Sequence, residues 1–352
     1  MSRADFRLSL VVPVYNEEES IDAFISAIDT ELAPLKDQLE IVFVNDGSRD
    51  RTREVVEQAI ARDPRVTLVN LARNFGKEAA MTAGLHQAKG DAIVPMDVDL
   101  QDPPSLILEF VKLWQTGDYD TVYGIRVDRS ADTPMKRLTA GGFYRFFNAL
   151  STSTKLPENA GDFRLIDRKV VEAIKQLPER NRFMKGLFAW AGFRAVGVPY
   201  ERPARHAGET KFNYWKLWNF ALDGLMSFSS WPLRVWSYIG VGVSFIAFLY
   251  ILKIITQVLF FGIDVPGYAS LMSVMLFLGG IQLLSLGIIG EYIGRMFVEV
   301  KQRPVYLIEG VYGQYAKQDE EQKQEVPTTS KKIAGKKAAA KAADDQQEQA
   351  SQ

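Results

Sequence analysis

Two aspartates, Asp97 and Asp99, stand two residues apart just after the apolar run 92–96. The run has the composition of a β-strand, and the two prolines that follow prevent the chain from continuing as strand or helix. Both acids therefore belong at a strand's carboxyl end, pointing the same way if Val98 stays extended. With the Gln101 amide oxygen close behind, they suit Mg²⁺ or Mn²⁺, usually an ion that also carries phosphate oxygens. An acidic surface turn is the alternative for such a tripeptide alone.

Alternating strands and helices are predicted to position these acids. Apolar, β-branched segments at residues 8–15, 40–44, 66–71 and 92–96 are each followed by a turn, and amphipathic helical segments separate them. Parallel strands need long, right-handed crossovers, so the pattern predicts an α/β fold with a mostly parallel sheet and helices on both faces. In such sheets, ligands bind beyond the carboxyl ends of the strands.

Polar segments follow each of the four predicted strands, at residues 13–17, 46–48, 73–77 and 97–101. Each has an ordinary structural explanation when taken singly: Asn16 is a good helix N-cap, and Lys77 could be a solvated helix start. Gly90 is the expected C′ residue of the third helix. Four polar strand ends in register nevertheless favour one binding crevice. Neither a P-loop nor a GxGxxG fingerprint occurs, so a phosphate here must be held by metal and side chains.

Composition excludes several classes of function. The formal net charge of −1 gives no reason to expect nucleic acid as a partner, and the absence of cysteine excludes disulfides and thiolate chemistry. Two histidines make a His-rich metal site improbable. The first residues are polar and lead into a strand without a signal-peptide pattern, so we expect the N-terminal zone to stay in the cytoplasm.

Three of the strand-end segments, residues 12–18, 44–48 and 97–104, resemble the nucleotide-sugar motifs of the family 2 glycosyltransferases, which have the GT-A fold. The resemblance is strongest to the polyisoprenyl-phosphate branch, of the bactoprenol glucosyltransferase and dolichol-phosphate mannose synthase type. It implies that base and ribose are held by Pro13, Tyr15, Glu17, Asp46 and Asp97. It also implies that Asp99 and Gln101 ligate the metal that bridges the diphosphate. Lys77, in the strand-end segment 73–77, and Val98, in segment 97–104, complete the predicted nucleotide-sugar contacts.

Asp162 stands between a glycine and an aromatic residue, where it has no capping role. Asp167, by contrast, is a sensible N-cap for a helix over residues 169–177. Asp162 is therefore either a turn residue or a carboxylate aimed into the crevice. The family resemblance favours the second, which makes Asp162 and Asp99 the predicted catalytic pair.

Four cations are predicted to hold the phosphate of an acceptor: Arg126, Arg137, Arg205 and Lys211. Arg126 follows a strand predicted at residues 119–124, although a solvated loop arginine explains it equally well. The last two lie in segment 202–211, which resembles the family's basic RxxGxSK loop with Thr210 in place of serine.

Basic and aromatic residues alternate in segments 133–151 and 213–230, which is typical of helices that lie on a membrane surface. Residues 235–261 and 268–298 each exceed the roughly 20 apolar residues that cross a bilayer, which predicts a two-helix transmembrane hairpin. Positive charges flank the pair on one side only, so residues 1–230, the catalytic domain, are expected on the cytoplasmic face of the bacterial inner membrane.

Glycines recur along the second span and suit close helix packing, within the hairpin or in a homo-oligomer such as a tetramer. Residues 301–316 are expected to be a membrane-proximal segment. From residue 317 to the end the chain lacks apolar periodicity and is expected to be disordered.

Together these features predict an inverting transfer of glucose or a related hexose from a UDP-sugar to undecaprenyl phosphate. A GDP-mannose-dependent polyprenyl-phosphate mannose synthase and a non-catalytic, membrane-anchored nucleotide-sugar-binding protein are the alternatives. A processive polysaccharide synthase is disfavoured because the sequence has no QxxRW motif.

Overall fold

The computed structural model describes residues 3, 5–127, 160–180, 182–201, 231–261 and 267–313. Within these ranges there are eight strands: β1 (Leu8–Val14), β2 (Leu39–Asn45), β3 (Val66–Leu71), β4 (Ala92–Pro95), β5 (Thr121–Arg126), β6 (Ala160–Asp167), β7 (Ala195–Tyr200) and β8 (Ile308–Tyr312). They form one sheet in the order β7-β5-β6-β4-β1-β2-β3-β8. The predicted interface helices at residues 133–151 and 213–230 and the predicted disordered tail lie outside the described residues.

The centre of the sheet is parallel, as the alternating pattern predicts. Strand β1 pairs in parallel with β2 and β4, and β2 pairs in parallel with β3. The near-continuous apolar sequence of these strands follows from burial on both faces. The α/β fold with a mostly parallel sheet is confirmed.

Helices cover both faces of this sheet: α1 (Ile21–Glu31), α2 (Thr52–Arg62), α3 (Lys77–Gln87), α4 (Leu106–Gln115), α5 (Arg168–Lys175) and α6 (Met184–Trp190). A short 3₁₀ segment, Ala33–Gln38, follows α1. One core packs α1, α2 and α4 against the sheet through residues such as Phe24, Val56 and Phe110. The other packs α3, α5 and α6 through residues such as Met81 and Val171. The three-layer arrangement leaves the strand ends open to a ligand.

Strand β6 departs from the parallel pattern and brings a distant part of the chain to the centre. It runs antiparallel to β4, with Ala92 paired to Asp167 and Ile93 to Ile166. Because the two strands run in opposite directions, the amino end of β6 lies near the carboxyl end of β4. Asp162 therefore lies beside the segment that carries Asp97.

Two expectations about helix ends are wrong. The first helix begins at Ile21 rather than after Asn16, because Asn16 adopts a left-handed conformation with φ of 54° and bonds to the neighbouring loop. Gly90 does not terminate α3, which is followed directly by Ala88 in an extended conformation. A Cβ on Gly90 would lie 2.5 Å from Ser9 Oγ, so close approach to β1 explains the glycine.

The predicted N-cap of α5 is confirmed. The Asp167 carboxylate accepts a hydrogen bond of 3.0 Å from the backbone N–H of Lys169, the second residue of the helix. The same carboxylate accepts from the indole N–H of Trp114 at 2.8 Å. One side chain thus fixes the start of α5 and ties it to α4.

Two long helices, α7 (Trp231–Phe261) and α8 (Tyr268–Lys301), follow the sheet domain. Within the described residues, one stretch, Phe277–Lys301, is long and apolar enough to cross a membrane by length and composition. On α8, Arg295 Nη2 lies 2.8 Å from Glu291 Oε1, one turn earlier, so these two charges form an ion pair.

The segment after α8 returns to the sheet instead of simply continuing along the membrane. The helix ends at Gln302, which is left-handed with φ of 48°, and β8 then pairs antiparallel with β3, Val69 facing Val311. The membrane-proximal segment predicted at residues 301–316 therefore contains an edge strand of the catalytic domain.

Candidate active site

A crevice opens where the carboxyl ends of the central strands meet β6. Four predicted site residues line it, namely Pro13, Asp97, Arg126 and Asp162. Backbone bonds set their placement: the Met96 N–H donates to the Val11 carbonyl at 3.0 Å, which holds the end of β4 beside β1. The expected convergence of separate strand ends on one cavity is found for these four residues.

The loops after β1 and β2 are joined to each other beside this crevice. The Asn16 N–H donates to Ser48 Oγ at 3.0 Å, and the Arg49 N–H donates to Asn16 Oδ1 at 2.8 Å. The Glu17 N–H donates to Thr52 Oγ1 at 2.9 Å. These bonds fix one loop against the other, so this edge of the crevice is held in place before any ligand binds.

Tyr15 and Glu17 differ in how free their side chains are. Tyr15 is 37% exposed, which leaves its ring accessible to a ligand. The Glu17 carboxylate accepts a hydrogen bond from Ser20 Oγ at 2.9 Å, so one of its oxygens is engaged locally. Tyr15 is therefore the better placed of the two for contact with a base.

Asp46 organises the loop between β3 and α3. Its Oδ1 accepts from the Phe75 N–H at 2.7 Å, its Oδ2 accepts from the Gly76 N–H at 2.9 Å, and only 4% of the residue is exposed. Burial raises the pKa of Asp46 and outweighs the lowering effect of those two backbone bonds. Both carboxylate oxygens are thus engaged by backbone N–H groups, so the Asp46 side chain holds this loop in place.

Gly47 explains how closely that loop can approach. Its φ is +67°, and a Cβ added there would lie 2.5 Å from the backbone carbonyl carbon of Arg73. Glycine is therefore needed here for two reasons, the left-handed conformation and the contact.

Lys77, the first residue of α3, connects three strand ends. Its Nζ donates to Asp97 Oδ2 at 2.8 Å and lies 3.7 Å from Asp162 Oδ2. Burial disfavours the charged amine, but the two carboxylates outweigh it and hold the pKa of Lys77 above its usual value. The lysine is therefore charged at neutral pH and supplies a cation where a diphosphate could bind.

Asp162 lies in a strongly basic surrounding. Lys185 Nζ, from α6, is 3.9 Å from Asp162 Oδ1. Burial raises the pKa of Asp162, but Lys185 and Lys77 more than offset this, so its pKa lies below the usual value. Its buried Oδ1 has no hydrogen-bond partner among the described residues, so this oxygen can still accept one from a ligand.

Glu78 is a further carboxylate near Asp162. Its Oε2 accepts from the Met184 N–H at 3.1 Å, which ties α3 to the start of α6. Burial, with the nearby charge of Asp162, raises the pKa of Glu78 to about 7. The sequence offers no signal that separates this residue from the ordinary first-turn glutamates of a helix.

The segment after Asp97 is a turn. Val98 lies in the turn and does not extend the strand, so the condition under which Asp97 and Asp99 would point the same way is not met. The Val98 side chain lies in the hydrophobic core. Leu100 is left-handed with φ of 53°, and Asp99 Oδ1 accepts from the Gln101 N–H at 3.3 Å. Val98 can therefore offer a ligand only its backbone.

These residues fit a metal only as partial ligands. Among the described residues no cluster of three or more His, Asp or Glu side chains could enclose an ion. Asp99 and Gln101 stand two residues apart in the turn, where the Gln101 N–H donates to Asp99 Oδ1. A hard divalent cation held by these two residues would need further oxygens from phosphate and water. This is the pattern of an ion that binds together with a diphosphate.

Arg126 belongs to a cluster that sequence reasoning did not assign. Its Nε donates to the Tyr200 hydroxyl oxygen at 3.2 Å, and its Nη2 lies 3.7 Å from Asp102 Oδ1. The Tyr200 hydroxyl donates to the same Asp102 oxygen. Asp102 lies inside the motif segment 97–104, which was the available signal, whereas Tyr200 and Lys185 come from segments without any motif. The other predicted acceptor cations, Arg137, Arg205 and Lys211, lie outside the described residues.

Comparison with known proteins gives two family matches. Residues 9–175 match the family described as Glycosyl transferase family 2, and residues 231–296 match the family described as GtrB C-terminal hairpin.

Two relatives match nearly end to end. The SfII prophage-derived bactoprenol glucosyl transferase of Shigella flexneri is 52% identical over 305 residues, which cover 86% of this chain and 97% of the relative. The prophage bactoprenol glucosyl transferase homolog of Escherichia coli strain K12 is 51% identical over 306 residues, which cover 87% and 99%. Among solved structures, glucosyl-3-phosphoglycerate synthase from Mycobacterium tuberculosis in complex with Mn²⁺, uridine-diphosphate and glucosyl-3-phosphoglycerate is 20% identical, with coverage of 64% and 79% and a TM-score of 0.43.

Proposed function

The chain belongs to the family 2 glycosyltransferases, in the group of the bactoprenol glucosyl transferases, and on that basis we propose that it transfers a hexose from a UDP-sugar to a polyprenyl phosphate. The observation that carries the proposal is the crevice in which Asp97 and Asp162 meet Lys77 and Arg126. Cations and carboxylates within a few ångströms suit a ligand that has both phosphate and hydroxyl groups.

The donor is assigned to the β1, β2 and β4 side of the crevice. Tyr15 offers an exposed ring for the base, and Asp97 offers a carboxylate for ribose or base. In the structure the Lys77 ammonium is paired with Asp97. When Asp97 bonds to the nucleotide instead, the Lys77 charge can turn to the diphosphate. Asp99 and Gln101 would hold Mg²⁺ or Mn²⁺, which, when bound, neutralises charge developing on the departing diphosphate.

The reaction needs no strong base in the protein. An acceptor phosphomonoester has a second pKa near 6, so it is largely dianionic at neutral pH. One of its oxygens forms the new bond to the anomeric carbon, and the bond from that carbon to the diphosphate oxygen breaks on the opposite face, with inversion. The electron pair leaves with the nucleoside diphosphate.

Asp162 is assigned to orientation. Its pKa is held below the usual value by Lys185 and Lys77 despite burial, so it is an anion at neutral pH and can accept a hydrogen bond from a sugar hydroxyl. As a weak base, it is poorly suited to removing a proton. This assignment agrees with the buried Asp162 Oδ1, which has no hydrogen-bond partner in the part of the chain that the structure describes.

The acceptor is assigned to the Arg126 side of the crevice, with Arg137, Arg205 and Lys211 completing the phosphate site. We also assign α7 and α8 to a two-helix membrane anchor, with the catalytic domain on the cytoplasmic face. Support comes from the apolar stretch Phe277–Lys301, from the match of residues 231–296 to the GtrB C-terminal hairpin, and from the relatives, which are bactoprenol glucosyl transferases. Assembly into a homo-oligomer stays a prediction. Gly287 and Gly290 on α8 leave room for a close neighbouring helix, because a Cβ added to either would meet no described atom within 4 Å beyond the adjacent turns of its own helix.

A reconstituted transfer assay tests the proposal. The full-length protein is incubated with undecaprenyl phosphate, a panel of UDP- and GDP-sugars, and Mg²⁺, Mn²⁺ or EDTA. We expect a polyprenyl-phosphate hexose from a UDP-hexose, only with lipid and only with metal. If GDP-mannose were the one sugar nucleotide of the panel that gave product, the donor would be GDP-mannose instead of a UDP-sugar. Release of sugar without the lipid would refute polyprenyl phosphate as the acceptor.

The metal role has its own variant. Asp99→Ala should lower turnover by at least about 100-fold, because the charge on the leaving diphosphate loses its counterion, while the melting temperature stays near that of the wild type. Asp118→Ala, in an exposed turn away from the crevice, is the matched control. Turnover of Asp99→Ala within tenfold of the control would exclude the metal-ligand role.

A further inference from the structure

A line of hydrogen bonds runs from the strand that follows α8 to the loop beside the crevice. The Asn70 amide Nδ2 donates to Glu309 Oε2 at 2.6 Å, and the Asn45 Nδ2 donates to Asn70 Oδ1 at 2.6 Å. The Ser48 N–H then donates to Asn45 Oδ1 at 3.1 Å. In all three hydrogen bonds, the N–H group lies on the crevice side and the accepting oxygen lies on the β8 side.

The carboxylate at the end of this line dictates that direction. An ionised carboxylate only accepts hydrogen bonds, so Asn70 must turn its NH₂ toward Glu309 and its oxygen toward Asn45. Asn45 must then turn its NH₂ toward Asn70, which leaves its oxygen for the Ser48 N–H. Both asparagines are 3% exposed, so water cannot easily correct a reversed amide.

Ser48 connects the two asparagines to the loop after β1, which carries Tyr15 and Asn16. Its hydroxyl oxygen accepts from the Asn16 N–H at 3.0 Å, and Asn16 is the left-handed residue directly after Tyr15. A shift of Ser48 would therefore move the backbone that carries Tyr15. Bonds in such a line also polarise one another, which adds to the stiffness of the whole.

We propose that Glu309 is a positioning residue of the donor site, acting through Asn70, Asn45 and Ser48 on the loop that holds Tyr15. The inference rests on the proposed function, because it takes the β1 and β2 loops as the nucleotide site. It makes the segment directly after the last long helix part of the donor site, so the membrane anchor and nucleotide binding are connected through the covalent chain.

Three substitutions of Glu309 separate this role from a general loss of packing. Glu309→Gln keeps an oxygen that accepts from Asn70, so nucleotide affinity should stay within about twofold of the wild type. Glu309→Ala should weaken it by about threefold, because the Glu309 side chain is 54% exposed and water can take its place. The ammonium of Glu309→Lys can only donate hydrogen bonds, so it favours reversal of the Asn70 and Asn45 amides. The Asn45 NH₂ would then face the Ser48 N–H, and neither group could accept the bond. We expect a loss of about tenfold or more.

Tyr306→Phe is the matched control. Tyr306 lies in the same segment, and its hydroxyl forms a 2.6 Å hydrogen bond with His86 on α3, outside the line of asparagines. The variant Tyr306→Phe should lower the melting temperature as Glu309→Ala does, but its nucleotide affinity should equal that of the wild type.

The test is titration of UDP and GDP into the full-length protein in detergent with Mn²⁺, together with melting temperature, KM for the donor and kcat. The expected order of affinity is wild type and Gln, then Ala, then Lys, and the effect should appear in the donor's KM more than in kcat. Equal affinities across the three variants, or an equal loss in Tyr306→Phe, would overturn the proposal. Wild-type protein that binds nucleotide but makes no glycolipid would instead refute the acceptor assignment, and absence of any nucleotide binding would refute both.

Discussion

Replacement of Lys77 by methionine probes the charge balance of the crevice most directly. Methionine keeps the length and helix propensity of the side chain and removes only the charge. In the structure the Lys77 ammonium lies 2.8 Å from Asp97 Oδ2 and 3.7 Å from Asp162 Oδ2. The substitution therefore leaves these two carboxylates facing an incoming diphosphate with one cation fewer.

The magnitude follows from distance and exposure. Two unit charges about 4 Å apart interact by about 4 kcal/mol at an effective dielectric constant near 20. The Lys77 side chain is 45% exposed, so solvent screening reduces its contribution to about 1 kcal/mol. An anionic ligand that contacts Lys77 should lose about 1 kcal/mol of binding free energy in Lys77→Met. This loss weakens nucleotide-sugar binding by about fivefold to tenfold.

The measurement is the Kd of the nucleotide at two salt concentrations. Wild-type affinity should fall more steeply with salt than that of Lys77→Met, because the variant has one charged contact fewer to screen. Lys175→Met is the matched control, since Lys175 forms a comparable 2.8 Å pair with Glu172 on an outer helix. A Kd within twofold of the wild type, or an equal change in the control, would refute the assignment of Lys77 to the donor.

Two further predictions concern buried features near the crevice. The native pKa of Glu78, about 7, lies above its value of 4.5 in an unfolded chain, so the native state binds this proton more tightly. The stability from this group is full below about pH 4.5 and is lost as pH rises through about 7. Between about pH 5 and about pH 8, thermal melts should therefore show the stability of Glu78→Gln rising relative to that of the wild type. The expected change in this difference is on the order of 2 kcal/mol. Gly47→Ala should lose at least about 2 kcal/mol of stability and most nucleotide affinity, because its Cβ would meet the Arg73 backbone at a positive φ; melting and titration at a normal level would contradict this.

Local sequence was sufficient to find the strand ends and the polar segments that follow them. Strand β3 lies at the residues predicted for it, and the acidic motif follows β4 as expected. Those features depend on apolar runs and on turn residues, which act over a few neighbours along the chain. The expected helix start at Asn16 is wrong because a contact with Ser48, 32 residues away, holds Asn16 in a left-handed conformation.

The sequence by itself determined an α/β fold whose strand ends carry the acids Asp97 and Asp99, because strand composition and breakers are written in adjacent residues. Only the tertiary structure decided that Asp162 enters the crevice and that Lys185 reaches it, since both depend on the antiparallel placement of β6 and on the packing of α6. The return of the chain as β8 was likewise invisible in a short segment after a long apolar helix. Pairing partners across a sheet are chosen by register and burial of the whole domain, and no local pattern encodes that choice.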